Sequence, residues 1–269
     1  MKKAGILFIA MAAVLMAGCT RQLTPPVMSH PEVNSVETSQ QASETPSEQP
    51  SEVPSEEWNF LPIDAGYHQN YHPVLDEYLD LLENGYDDEK EYKYVSTGYI
   101  ERVNSQGKEE MKKITGYKIV DVSGDDIPEL LMGENMEFYE KEASYIYAVY
   151  TCDKEGQPVE SFSGWYRNAY FYDGDGYFIH QGSGGAMYSI FGKGHLKEDG
   201  TSLIWDDYYF TYDKEDGSIG FYHNNTGNWD PKASEELHIS DEEFWDILKN
   251  YPIEVIQWDN LAAFPSLVY

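Results

Sequence analysis

Apolar residues first recur at helical spacing in the segment HPVLDEYLDLLENGY, which begins at residue 72. The positions that share one helical face are Val74, Leu75, Tyr78, Leu79 and Leu82. Pro73 suits the first turn of a helix, and Gly85 suits the position just after its end. The pattern therefore predicts an amphipathic helix that ends near Gly85.

Beyond that helix, the chain changes to short segments rich in Tyr, Ile, Val and Phe, residues that favour strands. The segments are TGYIERV, KKITGYKIVDV, ELLMG, SYIYAVYTCD, YRNAYFYDGDGYFIHQ, AMYSIFG, SLIWDDYYFTYD and SIGFYHN. Turn-forming clusters separate them, among them NSQG, DKEGQ, DGDG, KEDG and DKEDG. Connections this short favour antiparallel hairpins, because parallel strands need longer crossovers.

A second helix is predicted over ISDEEFWDILKNY, near the C-terminal end. Ser240 suits its N-cap, and Glu243 stands three residues later, as in a capping box. IEVIQW follows as a last predicted strand. The predicted fold class is α+β, mainly an antiparallel β meander with one helix before it and one helix near the C-terminal end. Whether the sheet stays open or closes into a barrel is left open.

The first residues, MKKAGILFIAMAAVLMAGC, have the pattern of an export signal. Lys2 and Lys3 precede an uncharged apolar run that is shorter than the roughly 20 residues needed to span a bilayer. LMAGC resembles the lipobox of bacterial lipoproteins, which implies a signal peptide over residues 1–18 and diacylglycerol and fatty acyl groups, such as palmitate, on Cys19. The alternatives are a general secretory signal and an ordinary buried helix.

The resemblance places the chain at the bacterial cell membrane, lipid-anchored on the extracytoplasmic face. Residues 19–57 are dominated by Pro, Ser, Thr, Gln and Glu, including the run SETPSEQPSEVPSEE. Such a composition buries too little apolar surface to offset its ordering entropy, so it predicts a disordered tether. Residues 58–269 are predicted to form a single β-rich domain.

The formal net charge of the chain is −30. Nucleic acid is therefore excluded as an electrostatically favoured partner, and divalent ions, cationic ligands and basic peptides are favoured. A charge of this sign also keeps a surface protein soluble, which is the simpler interpretation. Cys152, the one cysteine besides Cys19, is interpreted as a packed strand residue.

The stretch DVSGDDIPELLMG concentrates oxygen ligands between two predicted strands. Asp121, Ser123, Asp125 and Glu129 occupy relative positions one, three, five and nine, an alternation suited to wrapping a calcium ion. The stretch resembles the DxDxDGxx[DE] calcium loops and, more closely, a D-x-x-G-D-G-x-P-E-L element of uncharacterised cell-surface lipoproteins. That resemblance implies a weak structural calcium site. The alternative is that these side chains hydrogen-bond their own turn.

Asp126 stands where those loops usually carry glycine, at a position that often needs a left-handed backbone. The metal interpretation therefore depends most on Asp126.

Two further stretches are candidates for ligand binding. In GWYRNAYFYDGDGYF, strand alternation predicts Trp165 on one face and Tyr166, Tyr170 and Tyr172 on the other. One of those faces must be core, and the other could form an aromatic platform for sugar rings or peptides. HQGSGGAMYS places Ser183 among glycines that allow a ligand to approach the backbone, although it is not a GxSxG motif.

No catalytic motif appears in the sequence, and the histidines lack zinc-ligand spacing. The function favoured is a non-enzymatic module that binds a wall glycan or a peptide. Whether the chain is an enzyme is left open, because numerous carboxylates also allow a secreted carboxylate-dependent hydrolase. A third hypothesis is an acidic assembly subunit that binds a basic protein.

Overall fold

The computed structural model describes residues 69–264, in which eleven strands form one antiparallel sheet. The strands are β1 (Gly116–Val120), β2 (Glu129–Phe138), β3 (Lys141–Cys152), β4 (Pro158–Ser163), β5 (Asn168–Gly174), β6 (Tyr177–Gly185), β7 (Tyr188–Leu196), β8 (Leu203–Asp213), β9 (Ile219–Asn224), β10 (Glu235–Leu237) and β11 (Asp259–Asn260). The prediction of a sheet-dominated, antiparallel fold is confirmed.

The strand order across the sheet is β10-β9-β8-β7-β6-β5-β3-β2-β1-β11, with β4 paired to β3 outside this path. From β5 to β10, neighbours in the sheet are also neighbours in sequence, as the short turns predict. β3 is long enough to pair with two strands on the same edge. It pairs with β5 at Tyr145 and Ile146, and with β4 from Ala148 to Cys152.

Among the described residues, four α-helices accompany the sheet: α1 (His72–Asn84), α2 (Thr97–Gln106), α3 (Lys108–Ile114) and α4 (Asp241–Lys249). The helix ending before Gly85 is confirmed, and its predicted apolar positions are buried. α4 is confirmed together with its capping box between Ser240 and Glu243. Within this helix Phe244 and Leu248 are buried.

The prediction of a single helix before the sheet is wrong, because TGYIERV forms most of α2 and the first three residues of KKITGYKIVDV form the end of α3. The Ser96 side chain accepts a hydrogen bond from the backbone of Tyr99 and caps α2. Tyr99 and Val103, four residues apart, then form its buried face. A good cap and a packed helical stripe outweigh the strand preference of the Tyr, Ile and Val side chains.

IEVIQW was predicted to form a strand, and this is also wrong, since residues 252–258 have no regular secondary structure. The segment instead crosses one sheet face, where Ile256 and Trp258 pack on Leu131 and Ile146. The backbone of Ile256 donates to the hydroxyl of Ser144 at 2.7 Å. Sheet-facing apolar residues explain why the segment has the composition of a strand without pairing as one.

The other sheet face carries all four helices, and we call it the helical face. α1, α2 and α3 pack on the part that includes Met132 and Tyr147. α4 packs further along, on Phe171 and Phe191. The ring of Tyr145 contacts both of these apolar clusters and therefore lies between them.

A β-bulge in β3 helps to shape the helical face. The pairing between β2 and β3 runs from Met132 opposite Ala148 directly to Gly133 opposite Ile146, which leaves Tyr147 as an extra residue. One extra residue reverses the alternation of the strand beyond it. Tyr145 and Tyr147 therefore both contact the helical-face cluster, while Ile146 packs on the opposite face.

Cys152 is buried at the end of β3 as a free thiol, as the sequence predicts, and burial raises its pKa. Among residues 69–264, no helix is long and apolar enough to cross a membrane. The predicted signal peptide, Cys19, the predicted tether and its boundary with the domain at residues 57 and 58 lie outside the described residues, so they stay predictions.

Candidate functional site

The acidic loop between β1 and β2 uses its carboxylates to hold its own backbone. Asp121 accepts hydrogen bonds from the backbone N–H of Gly124 at 2.7 Å and of Asp126 at 3.0 Å. Asp125 accepts from the backbone N–H of Ile127 at 2.8 Å, and the hydroxyl of Ser123 lies 3.5 Å from Asp121. These are the contacts of Asx and Ser turns, the alternative interpretation of this stretch.

Glu129, the first residue of β2, closes the loop from inside. Its Oε2 accepts from the backbone N–H groups of Val122 at 2.9 Å and Ser123 at 3.2 Å. The side chain is fully buried, and burial raises its pKa to about 7. Its Oε1 is buried without a hydrogen-bond partner in the described structure, as is Oγ1 of Thr151.

Asp126 has φ of +69°, so the position where related loops carry glycine does adopt a left-handed backbone here. Within residues 69–264, no three His, Cys, Asp or Glu side chains are grouped so that they could hold a metal ion. Asp121, Ser123, Asp125 and Glu129 thus lie in one loop, but their oxygens face loop amides. Calcium binding stays a prediction.

The predicted aromatic platform is not a single surface. Tyr170 and Tyr172 pack in the apolar cluster on the face opposite the helices, whereas Tyr166 is 84% exposed. The predicted alternation fails because Trp165 and Asn168 exchange backbone hydrogen bonds and close a tight turn, with Tyr166 at its tip. Trp165, also part of this turn, is partly exposed.

An open cleft of about 490 Å³ lies on the helical face beside α2, and we call it the aromatic cleft. Phe138 from β2, Tyr145 from β3 and Phe171 from β5 contribute rings to it, and Tyr166 reaches it from the turn before β5. The bulge at Tyr147 is what brings Tyr145 to this side. The cleft is therefore assembled from α2, the β2–β3 hairpin, β5 and β6, which together span residues 98–181.

An ion pair lies in the wall of the aromatic cleft. Nε of Arg102, on α2, donates to Oε1 of Glu134, on β2, at 3.0 Å, and Nη2 donates to the same oxygen. The Glu134 side chain is 2% exposed and that of Arg102 is 32% exposed. Because a guanidinium has five N–H donors, Arg102 keeps donors for a ligand.

A second cavity of about 500 Å³ adjoins the aromatic cleft and shares Tyr166, Ala169 and Gln181 with it. It continues along the glycine-rich end of β6, past Gly182 and Ser183. We call the two cavities together the groove. Two of the predicted ligand-binding residues, Tyr166 and Ser183, thus line one continuous surface.

Ser183 does not have the surroundings of a nucleophile. Its hydroxyl donates to the carbonyl of Gly185 at 2.7 Å. His180, three residues earlier, packs with Tyr170 and Trp205 on the opposite face, and burial lowers its pKa to about 4. The hydroxyl therefore serves its own turn.

α2 is held close to the tip that carries Tyr166. A Cβ at Gly98 would lie 2.2 Å from the carbonyl oxygen of Gly164 and 2.7 Å from the Cα of Trp165. Only glycine allows this approach, which sets Arg102 one turn further along α2 beside Glu134. Arg102 and Glu134 were not predicted as site residues. The cap at Ser96, followed by Tyr99 and Val103 at helical spacing, was the signal that could have predicted α2 and so the position of Arg102.

The fold and the site define an antiparallel β-sheet domain with helices and an aromatic-lined groove on one face. Comparison of the chain with protein-family models, curated proteins and solved structures gives no match in any of the three.

Proposed function

We propose that this chain is an extracytoplasmic lipoprotein, anchored through acyl groups on Cys19, whose domain is a non-enzymatic module that binds a wall glycan in the groove. One observation carries the proposal: the exposed ring of Tyr166 lies where two adjoining cavities meet. Aromatic faces with polar tips suit stacking on sugar rings. The tether holds the domain away from the bilayer, where wall polymers are found.

Polar groups along the groove suit a neutral glycan. Arg102 offers N–H donors and Gln181 offers an amide, while Ser183 lines the groove with its hydroxyl held by Gly185. Glu101 and Glu134 lie in the cleft and add to the acidity of the chain, which disfavours an anionic polymer. An elongated groove favours several linked sugar rings over a single one.

A weak structural calcium ion in the acidic loop is part of the proposal. Each carboxylate oxygen has two lone pairs, so amide contacts leave Asp121 and Asp125 with capacity for a cation. Binding requires these oxygens to turn from the loop amides towards a common point. Such a rearrangement suits the weak, extracellular range of affinity, about 0.1–1 mM.

The anchor is tested by replacing Cys19 with Ala in the full chain. We expect acyl labelling to be lost and the protein to leave the membrane fraction, because stable anchoring needs two acyl chains. Continued membrane retention of the variant would remove the lipoprotein assignment.

The glycan assignment is tested with a glycan array and the full chain. Tyr166→Ala should weaken binding to an array hit by about fivefold, because stacking on one aromatic ring contributes on the order of 1 kcal/mol. Tyr86→Ala is the matched control, since Tyr86 is exposed and outside the groove. Equal binding by both variants contradicts a groove site.

A hydrolase is the second candidate, because Glu101 from α2 and Glu134 from β2 line the same cleft. Paired carboxylates flanking a sugar bond can act as acid and base. Incubating an array hit with the protein and measuring new reducing ends decides between the two. Cleavage that is lost in Glu101→Gln replaces the binding-module proposal.

A further inference from the structure

A second aromatic surface lies on the sheet face opposite the helices, at the end of β7 and β8. It consists of Tyr188, Tyr212 and Trp229, and we call it the aromatic ridge. The Trp229 ring centroid lies 5.5 Å from that of Tyr188 and 5.8 Å from that of Tyr212. Both contacts are edge-on, with interplanar angles of 69° and 79°. None of these residues lines the groove.

The ridge is exposed, and contacts with the sheet fix the position of Trp229. Tyr212 is 38% exposed and Trp229 is 37% exposed. The indole Nε1 of Trp229 donates to the carbonyl of Thr211 at 3.2 Å. The indole also lies on the backbone of Gly184, where a Cβ would come within 2.4 Å of it. A ligand therefore meets aromatic faces that need no reordering before binding.

Acidic residues adjoin the ridge, in contact at Asp213 and in sequence around Trp229, where Lys232 is the one basic residue within three positions. The carboxylate of Asp213 accepts a hydrogen bond from the Tyr188 hydroxyl, and Asp230 follows Trp229 directly in sequence. Glu215 and Asp216 continue the acidic turn after β8. Lys214, the basic residue of that turn, is 2.5 Å from Glu236 and is neutralised by it.

We propose that the aromatic ridge docks lysine or arginine side chains of a basic, flexible segment of a partner protein. A cation over an aromatic face gains from the ring quadrupole, most strongly over tryptophan. The carboxylate of Asp213 adds direct attraction at the edge of the ridge. The net charge of −30 steers such a segment towards the protein.

The charges distinguish this surface from the groove. A neutral sugar gains only hydrogen bonds from the carboxylates, whereas a cation gains from the ring faces and from direct charge attraction. The ridge residues themselves line none of the three described cavities, so they suit side chains of an extended peptide more than a ligand that must be enclosed. The proposal stands independently of ligand binding in the groove.

The probe is a fluorescein-labelled peptide of alternating Gly and Lys, titrated with the full chain at low salt and followed by fluorescence anisotropy. The same peptide with acetylated lysines is the control for charge. We expect the acetylated peptide to bind at least tenfold more weakly, because several lysines each lose a cation–π contact and their attraction to the carboxylates. Equal binding of both peptides overturns the proposal.

Three variants locate the site. Trp229→Ala should weaken peptide binding by about fivefold, and Asp213→Asn by about threefold, because each removes one of the two attractions. Asp199→Asn removes the same charge from the turn at the other end of β7 and β8, about 25 Å away along the strands, and should change binding by less than about 1.5-fold. Far-UV circular dichroism checks the fold of each variant, and Asp213→Asn keeps the test valid if Trp229→Ala does not fold.

Two further results overturn the inference. An equal loss in Asp199→Asn and Asp213→Asn shows that net charge alone attracts the peptide. Binding of a neutral glycan that depends on Trp229, with no peptide binding, makes the ridge a carbohydrate surface instead. Tyr166→Ala, in the groove, should leave peptide binding unchanged, so failure of the glycan proposal is separable from failure of this one.

Discussion

The acidic loop and the aromatic cleft both concentrate polar and charged side chains. In the loop their hydrogen-bond partners are close in sequence, whereas in the cleft they are far apart. In the loop, Asp121 and Glu129 accept hydrogen bonds from amides a few residues away. In the cleft, the pair between Arg102 and Glu134 joins a helix to a strand 32 residues later. The loop can be recognised in the sequence because its residues lie within one short stretch. The cleft cannot, because α2 and β2, which are separate in sequence, position its polar groups and leave donors of Arg102 for a ligand.

The largest effect that tests this comparison should come from Arg102→Ala. It leaves the carboxylate of Glu134 buried without its partner, which costs about 4 kcal/mol of unfolding free energy. Urea unfolding measures the loss. Lys113→Ala is the control, because its pair with Glu110 is exposed and should contribute no more than about 1 kcal/mol. Similar losses in both variants would mean that the cleft pair is not held as described.

A pH dependence should distinguish the loop from the cleft. The pKa of Glu129 is raised from 4.5 to about 7 in the folded state, so the folded protein binds the proton more tightly than the unfolded chain. Its contribution is fully present below about pH 4.5 and is lost as the pH rises through about 7, a change of about 3 kcal/mol.

Urea unfolding between pH 4.5 and 8 in chelator, compared with Glu129→Gln, isolates this dependence. The parent protein should lose stability relative to the variant as the pH rises. Parallel curves would show that the buried carboxylate does not titrate in this range.

How much of this could be predicted depends on whether the interactions are local. α4 was predictable because Ser240 and Glu243 satisfy each other three residues apart. α2 was not predicted. The Tyr, Ile and Val residues of TGYIERV favour a strand, and the cap at Ser96 was the one helix signal against them. The cleft was out of reach for a different reason. The bulge at Tyr147 reverses which side chains of β3 face the helices, and the local sequence pattern does not predict a bulge.

Gly98→Ala should sharpen the comparison, because it acts on the position of α2 without changing any polar group. The added Cβ must push α2 away from the carbonyl of Gly164, and we expect a loss of about 2 kcal/mol. Ser105→Ala, on an exposed position of the same helix, should stay within about 0.5 kcal/mol. Thermal unfolding measures both, and an equal effect would mean that the contact yields easily.

Calcium should give the smallest effect, and it decides whether the loop is only a turn. With 10 mM calcium and a dissociation constant near 1 mM, linkage gives about 1.4 kcal/mol, or a rise of about 3–6 °C in melting temperature over chelator. Asp121→Ala combined with Asp125→Ala should erase the rise. Magnesium at the same concentration is the control for ionic strength, because its octahedral geometry fits a flexible loop poorly. If the melting temperature of the parent protein does not respond to calcium, the loop binds no ion. Its carboxylates then only hydrogen-bond the loop amides and stabilise the β1–β2 connection.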